Sequence, residues 1–419
     1  MLWPITKAKF FRGDTQVRAA TLSRFCSVAN ISPSMAQTSL PKALFSLLKP
    51  RLPQMVDLLR ELTLLESPSL EKSAADRCCG FLADQWRLRG GDVQALKQSL
   101  RGDHLRVSWS PATPGTNRQL LVLGHYDTVY PTGSLARMPF RIAGGKAYGP
   151  GTFDMKAGIV QALFAFEALQ QLKLPAARNL VFLWTSDEEI GSKSSRERIE
   201  AEARRSDAVF VLEPSLGSRG LLKTSRKGVG EAELIVHGRS SHAGLEPEKG
   251  VNAIHELAAQ IARFEKWNNY RRGVIVNTNL IDGGSRTNVI ADRAKATLDL
   301  RAWTVSDMRA LEKRLHSLKP IRRGAKLELH GGFDRPPLER KRSAALFAQA
   351  KSVAKQFGLS LGEGAAGGGS DGSFTAALGV PTLDGLGAVG GGAHSPNEHV
   401  RVKTMPQRAA LLAALLATT

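Results

Sequence analysis

The first half of the chain alternates short apolar runs with stretches of helical periodicity. Three apolar runs have the length of buried strands: Leu120–Leu123, Leu180–Trp184 and Ala208–Leu212. Three stretches are predicted to be helices: Ala43–Leu65, Ser73–Arg89 and Gly158–Leu172. This alternation continues to about Leu222, and it predicts an α/β fold with a largely parallel sheet sandwiched by helices.

The pattern changes near Lys227, where polar and apolar residues begin to alternate. The predicted order is a strand over Glu231–His237, a helix over Val251–Phe264, strands over Val274–Leu280 and Ala294–Trp303, a helix over Ser306–Leu318 and a strand over Leu327–His330. This βαββαβ order is that of a ferredoxin-like α+β domain with helices on one face of its sheet. We therefore predict a lid domain over residues 227–333, inserted between the two parts of the main domain at 41–226 and 334–419.

The first forty residues do not fit this organisation. Between Met1 and Ser34 there are five basic residues and one acid, with Ser and Thr scattered among them. The stretch lacks the apolar core of a secretory signal. We predict that residues 1–40 are a disordered leader, or an over-long start with Met35 as the true initiator. Either reading predicts a cytoplasmic protein, with export left open.

Composition narrows the classes of function. A chain of 419 residues is long enough for two domains, and 58 Lys and Arg against 38 Asp and Glu give a net charge of +20. The charge is dispersed, without a basic run interleaved with aromatic residues, so we predict no nucleic-acid partner. A positive field of this kind attracts acidic substrates instead. No apolar run approaches the length of a membrane span. The adjacent Cys78 and Cys79, with Cys26, favour reduced thiols.

Residues with metal-binding chemistry directly follow the first predicted strand. His125 and Asp127 are two positions apart, and such residues point to the same face of an extended chain. Asp127 can therefore hydrogen-bond one ring nitrogen of His125 from behind and leave the other free for a metal ion. A single His at this place is more often packed or solvated, so the prediction depends on the segments that follow.

Further acids and a second His lie at strand ends or in glycine-rich loops downstream. They are Asp154 in the turn Tyr148–Gly158, Glu188 and Glu189 after Leu180–Trp184, Glu213 after Ala208–Leu212, and His394 in the loop Gly390–Pro396. Each alone is more often structural. Together they are difficult to explain as solvated loop charges, because active sites of α/β proteins lie at the carboxyl ends of strands.

Five motifs join these residues in chain order: GHYDTV, GPGTFDMKAG, SDEEIGS, LEPS and HSPNE. In this order and at these intervals they resemble the zinc-dependent exopeptidase superfamily of glutamate carboxypeptidases, aminoacylases, acetylornithine deacetylases and succinyl-diaminopimelate desuccinylases. The resemblance runs from about Pro41 to the C-terminus and is greatest to the bacterial glutamate carboxypeptidase (carboxypeptidase G) branch. It implies the same two-domain layout, with the lid mediating a homodimer.

The resemblance also implies two Zn²⁺ ions per subunit, with Co²⁺ or Mn²⁺ as substitutes. Asp154 would bridge the ions, His125 and Glu213 would bind one, and Glu189 and His394 would bind the other. Two such ions, three carboxylates and a bridging hydroxide sum to a neutral centre. Without metal, carboxylates packed together would repel one another and raise each other's pKa.

Residues around these ligands receive roles from the same resemblance. Glu188, beside the ligand Glu189, would be the general base that takes a proton from water and later hands it to the leaving amine. A non-proline cis peptide bond is implied at Asp154-Met155. Ala157 stands where the family often has Gly, and we expect this change to be harmless.

Three lid residues are implied to contact substrate. His242, in the motif GRSSHAG, and Asn288 match positions that hold the substrate carbonyl or oxyanion, with the His reaching in from the partner subunit. Arg301 matches the position that binds a substrate carboxylate, for which a planar guanidinium is well suited. By pattern alone, His242 would be a solvated turn residue and Arg301 an exposed strand end.

The sequence therefore predicts a two-zinc metallohydrolase that releases a C-terminal amino acid, glutamate-like, from N-acyl or peptidyl compounds. The alternative is an N-acyl-amino-acid deacylase with the same metal centre. A non-catalytic binding protein would be expected to have lost a ligand or the base, and all six residues are present. The expected partners are a small-molecule or short-peptide substrate and a second copy of the chain, without nucleic acid or membrane.

Overall fold

The computed structural model of the protein describes residues 39–110, 118–174 and 178–419. The predicted leader therefore lies outside the described residues, apart from its last two positions, and the first helix begins at Leu40. Within the described ranges, no helix combines the length and the apolar composition that crossing a bilayer requires.

The described residues contain ten α-helices and sixteen strands. The helices are α1 Leu40–Leu48, α2 Leu52–Leu64, α3 Lys72–Arg87, α4 Ala157–Gln171, α5 Arg196–Arg204, α6 Ala253–Glu265, α7 Val305–His316, α8 Ala344–Gln356, α9 Gly372–Ala377 and α10 Met405–Thr418. The strands are β1 Asp92–Leu96, β2 His104–Trp109, β3 Gln119–His125, β4 Arg141–Ala143, β5 Lys146–Tyr148, β6 Asn179–Thr185, β7 Ser206–Val211, β8 Leu222–Arg226, β9 Gly228–His237, β10 Ile275–Gly283, β11 Arg293–Ala302, β12 Lys326–Arg335, β13 Glu363–Ala366, β14 Thr382–Leu383, β15 Gly390–Gly391 and β16 His399–Arg401.

The main sheet has the order β1-β2-β6-β3-β7-β14. Its last four strands run parallel to one another, while β1 and β2 are antiparallel at one edge. Every residue of β3 is buried. Leu120 and Val122 pack into a core with α1 to α4, α8 and α10, whereas Leu121 and Leu123 pack against α5 and α9. Helices on both faces explain the continuous apolar run, and the predicted α/β class is confirmed.

A second sheet, with the order β10-β11-β9-β12, is antiparallel throughout and carries α6 and α7. This is the predicted ferredoxin-like arrangement, and it has a hydrophobic core of its own. Along β11 the residues alternate, with Leu298 and Leu300 buried and Asp299 and Arg301 on the opposite face. The domain limits of 227 and 333 stay a prediction; they lie next to the start of β9 and near the end of β12.

The helix predicted over Ala43–Leu65 is interrupted in the structure. A single 3₁₀ turn over Lys49–Arg51 separates α1 from α2. Pro50 has no N–H to donate to the preceding turn, and its ring crowds the carbonyl there, so a continuous helix is disfavoured. Pro53 lies in the first turn of α2, where a missing N–H costs little. The prediction of one continuous helix was wrong.

Candidate active site

His125 ends β3 at the carboxyl edge of the main sheet and is buried. Its Nδ1 lies 3.0 Å from the backbone carbonyl oxygen of Asp127 and 3.4 Å from the Asp127 carboxylate. The predicted orientation of the ring from behind is therefore present, but the nearer partner is the carbonyl rather than the side chain. The opposite nitrogen, Nε2, lies 3.3 Å from Oδ1 of Asp154 and 3.5 Å from Oε1 of Glu213.

The Asp127 carboxylate has a second set of partners. Ser69 donates its hydroxyl to Oδ2 at 2.6 Å. The backbone N–H groups of Glu188 and Glu189 donate to the same carboxylate at 3.3 and 3.2 Å. Asp127 thus fixes the acidic turn after β6 relative to His125, a contact that the spacing of the residues did not predict.

Asp154 lies between the two histidines. Its Oδ1 faces His125, while its Oδ2 lies 3.5 Å from Nε2 of His394. The same His394 nitrogen is 3.1 Å from Oε2 of Glu189. The peptide bond between Asp154 and Met155 is cis, as the resemblance implied.

These side chains form two overlapping groups of potential metal ligands. One ligand atom from each of His125, Asp154 and Glu189 lies within 4.8 Å of the others, and the same holds for His125, Glu188 and Glu213. Although Nε2 of His125 and Oδ1 of Asp154 lie 3.3 Å apart, neither atom has a partner in hydrogen-bond geometry among the described residues. Buried polar atoms are normally satisfied. Imidazole and carboxylate ligands suit zinc, so the residues present fit a divalent metal centre.

The imidazoles and carboxylates of this centre each favour the charged form of the other. Burial lowers the pKa of His125, but the carboxylates of Asp127, Asp154 and Glu213 outweigh it and hold that pKa well above its usual value. Burial and the Glu213 charge raise the pKa of Asp154, but the imidazoles of His125 and His394 outweigh both and hold it below its usual value. The carboxylates thus favour a cation here, and a metal ion would bind the deprotonated imidazole.

Glu188 is buried and paired with Arg335, which sequence reasoning missed. Burial raises the pKa of Glu188 to about 8, and the Arg335 guanidinium opposes this shift. Arg335 contacts the Glu188 carboxylate through Nη1, and its Nη2 donates to the Glu188 carbonyl at 2.6 Å and to Ser192 Oγ at 2.8 Å. Arg335 ends β12, so it reaches this acid from the second sheet.

Glu213 is held from the side that faces away from His125. Its Oε2 accepts a hydrogen bond from Nη2 of Arg226 at 2.8 Å and lies 3.5 Å from Nζ of Lys223. Arg226 also donates Nε to Asp384 at 2.6 Å. Burial raises the pKa of Glu213, but Arg226, His125 and Lys223 outweigh it and hold that pKa well below its usual value. Glu213 therefore stays charged, with Oε1 directed at His125.

A cleft of about 490 Å³ opens above these residues. Four cationic side chains line it: Lys223, Arg226, Arg301 and Arg335. The Arg301 guanidinium is paired with Asp299, to which it donates Nε at 2.8 Å and Nη2 at 2.6 Å. Its Nη1 contacts the carbonyl of Gly367 at 3.5 Å. The cleft therefore combines an acidic floor with basic walls.

His242 and Asn288 lie together, but neither lines the cleft that the described residues form. His242 and Asn288 are both exposed. An isolated β-bridge joins His242 to Val289, and the N–H of Ala243 donates to the carbonyl of Asn288 at 3.0 Å. Nδ1 of His242 accepts the N–H groups of Gly244 and Leu245 at 3.2 and 3.1 Å. Because Nδ1 is an acceptor, the neutral ring carries its proton on Nε2.

The family match and the relatives below make this chain a hydrolase of peptide or amide bonds. Residues 121–418 match the profile of peptidase family M20/M25/M40, and the chain belongs to that family. The family predicted from the motifs is confirmed.

Two curated relatives and one solved structure illustrate the likeness. The chain is 30% identical to carboxypeptidase G2 of Pseudomonas sp. (strain RS-16) over 373 residues, which cover 87% of this chain and 89% of that protein. It is 29% identical to the succinyl-diaminopimelate desuccinylase of Paraburkholderia xenovorans (strain LB400) over 305 residues, which cover 69% and 80%. The structure of aminopeptidase PepT from Bacillus cereus ATCC 10987 superposes with a TM-score of 0.72 at 23% identity and covers 87% of this chain and 98% of that chain.

Proposed function

We propose that this protein is a two-zinc hydrolase that releases a C-terminal amino acid, glutamate-like, from N-acyl or peptidyl compounds. The observation that carries the proposal is the position of Asp154. Its two oxygens face two different imidazoles, His125 at 3.3 Å and His394 at 3.5 Å. A carboxylate placed in this way is suited to bridging a pair of ions.

The remaining ligands follow from the contacts around Asp154. Glu213, with one oxygen directed at His125, would complete the first set, and Glu189, next to His394, would complete the second. When bound, the two ions would supply an activated water nucleophile and polarise the scissile carbonyl. Co²⁺ or Mn²⁺ would be alternative occupants of the same ligand sets.

Glu188 is the proposed general base. It lies within 4.8 Å of ligand atoms of His125 and Glu213, close enough to take a proton from the attacking water. Its raised pKa suits an acid that then holds the proton and passes it to the leaving nitrogen. Arg335 keeps this carboxyl in place between the two sheets.

The basic walls of the cleft support a substrate with a carboxylate group. Arg301 is the proposed partner of that carboxylate, because it lines the cleft and Asp299 engages only its Nε and Nη2. Its Nη1 has only a long contact of 3.5 Å, with the Gly367 carbonyl, which a substrate carboxylate could replace. The likeness to carboxypeptidase G2 favours release of an amino acid from a peptidyl or N-acyl compound. The likeness to a desuccinylase supports the second candidate, an N-acyl-amino-acid deacylase that uses the same centre.

The proposed function is tested by a hydrolysis screen with defined metal content. Peptidyl and N-acyl derivatives of glutamate are compared with those of neutral and basic amino acids, and the released amino acid is quantified. We expect glutamate derivatives to react fastest, chelator treatment to remove the activity, and added Zn²⁺ to restore it. Full activity of the chelator-treated, metal-free protein would overturn the metal centre.

Replacing Arg301 by Leu is expected to raise KM for carboxylate-bearing substrates by roughly 10–150-fold. Hydrogen bonds to charged groups contribute about 1.5–3 kcal/mol, and a tenfold change corresponds to about 1.4 kcal/mol. Steady-state kinetics with a substrate and its amide analogue measure the effect, which should be confined to the carboxylate form. Arg293→Leu, at the exposed start of the same strand, is the control. An unchanged KM would remove Arg301 from the substrate site.

A dimer through the lid is proposed from the exposed edge of the second sheet. β10 is an edge strand of this sheet, and its Leu280 and Ile281 are 67% and 61% exposed. Exposed edges with apolar side chains favour pairing with another chain. His242 and Asn288 lie outside the cleft of their own chain, which supports the proposal that they complete the site of a partner subunit.

A further inference from the structure

Glu398 is a fully buried acid to which the proposed mechanism gives no role. Its Oε1 accepts hydrogen bonds from the backbone N–H groups of Phe153 at 2.8 Å and Asp154 at 2.9 Å. Its Oε2 accepts a third from Gly151 at 3.1 Å. One carboxylate therefore satisfies three of the four N–H groups in residues 151–154, the turn that carries the central carboxylate of the site. The N–H of Thr152 donates to the carbonyl of Gly149 instead.

The small sheet beside the site fixes this contact. β16 pairs antiparallel with β5, and His399 lies opposite Tyr148. Glu398 directly precedes β16, and the turn with Asp154 directly follows β5, so the strand register brings the two together. The N–H of Gly149 also donates to the carbonyl of Glu398, at 3.4 Å.

The loop that ends in Glu398 also supplies His394. Tyr130 donates its hydroxyl to the carbonyl of Ser395 at 3.1 Å, which anchors this loop against the segment that follows β3. His394 in turn lies 3.5 Å from Oδ2 of Asp154. The loop from His394 to Glu398 therefore contacts Asp154 in two ways. Glu398 binds the backbone of the Asp154 turn, and His394 faces the Asp154 carboxylate.

We propose that Glu398 is a positioning residue for the metal centre. By accepting hydrogen bonds from the N–H groups of Gly151, Phe153 and Asp154, it sets the direction in which Asp154 presents its two oxygens to the two proposed ligand sets. Groups that hold the ligands of a metal in place contribute to its affinity, and their loss typically weakens metal binding about 10–100-fold. This inference rests on the proposed metal centre.

The contacts require a carboxylate at position 398. All three partners are donors, so both side-chain oxygens must act as acceptors. In Glu398→Gln, the amide NH₂ would take the place of one oxygen and face an N–H group, with one hydrogen bond lost and two donors opposed. Glu398→Asp keeps both oxygens and the charge but is one methylene too short to reach the turn in the same way.

The lid offers a matched control in Glu256. This acid is also fully buried, and it also accepts backbone N–H groups, those of Ile321 and Arg322, together with the side-chain amide of Gln260. Its partners lie far from the ligands in the chain and carry none of them. Glu256→Gln is therefore expected to lower thermal stability without changing metal binding.

The experiment measures metal affinity by competition with a chelator and the absorption spectrum of the Co²⁺-loaded full-length protein. We expect Glu398→Gln to bind metal about 10–100-fold more weakly than the wild type and to show an altered Co²⁺ spectrum. Glu256→Gln should match the wild type in both measurements. If Glu398→Gln loses stability but keeps wild-type affinity and spectrum, Glu398 is only a structural residue and the inference fails.

Two further outcomes keep the result decisive. If Glu398→Gln does not fold, Glu398→Asp replaces it, and wild-type affinity and spectrum in that variant would overturn the inference. If the wild-type protein itself binds no metal under these conditions, the proposed function fails. If the wild type binds metal and the Glu398 variant has the same affinity and spectrum, only the positioning role is contradicted and the proposed function stands.

Discussion

Glu188→Gln is expected to lower kcat by about 10²–10⁴-fold while the bound metal stays unchanged, since this is the usual contribution of general acid–base catalysis. The amide keeps the volume of the carboxyl group and can still accept a hydrogen bond from Arg335. It cannot take a proton from water. Steady-state kinetics and metal analysis of the same preparation measure the two quantities side by side.

The control for Glu188→Gln is Glu197→Gln, the same chemical change on the exposed first turn of α5. This variant should have wild-type kcat and metal content. If Glu188→Gln retains its metal and nearly all of its kcat, the water is activated by another group. If it loses its metal, Glu188 is a ligand rather than a base, which its place beside His125 and Glu213 also permits.

His242→Ala is expected to lower kcat by about 10²–10³-fold, the usual effect of removing one donor to a developing oxyanion. The proton of the neutral His242 ring lies on Nε2, because Gly244 and Leu245 donate to Nδ1, and this leaves Nε2 as the donor. Metal content should be unchanged, since His242 is not among the proposed ligands. His316→Ala, at the exposed end of α7, is the control.

Mixing two inactive variants tests whether His242 serves the partner subunit. In a mixed dimer of Glu188→Gln and His242→Ala, one site would carry both defects and the other would carry neither. Activity should then return to at most about half that of the wild type per mixed dimer, as the symmetry of a two-fold dimer requires. Confirmed exchange of subunits without any return of activity would place the action of His242 within its own chain.

The sequence predicted well where the signal is local. The apolar run Leu120–Leu123 identified β3 because helices cover both faces of that strand, and the alternation after Lys227 identified the second sheet. The motifs also singled out His125 and Asp154, which the structure brings together. In each case the residues that carry the signal are close in the chain.

Ion pairs between distant segments could not be predicted in this way. Arg335 lies 147 positions from Glu188, and Arg226 pairs with Asp384 across 158 positions. For a basic residue at a strand end, the neighbouring sequence does not show whether the side chain forms a buried ion pair or is exposed to solvent. Glu398 is part of the motif HSPNE, but its role is indicated only by the hydrogen bonds that it accepts from three backbone N–H groups in the structure.

The pairing of β16 with β5 has a consequence for the biosynthesis of the protein. The loop with His394 and Glu398 is translated after the other segments of the proposed site. A nascent chain that has only reached β14 therefore has the Asp154 turn without Glu398 and the proposed ligand sets without His394. We expect such ribosome-bound chains to retain little metal. Metal would then bind the proposed centre only after β16 has emerged from the ribosome. The protein would therefore become active only when its synthesis is nearly complete.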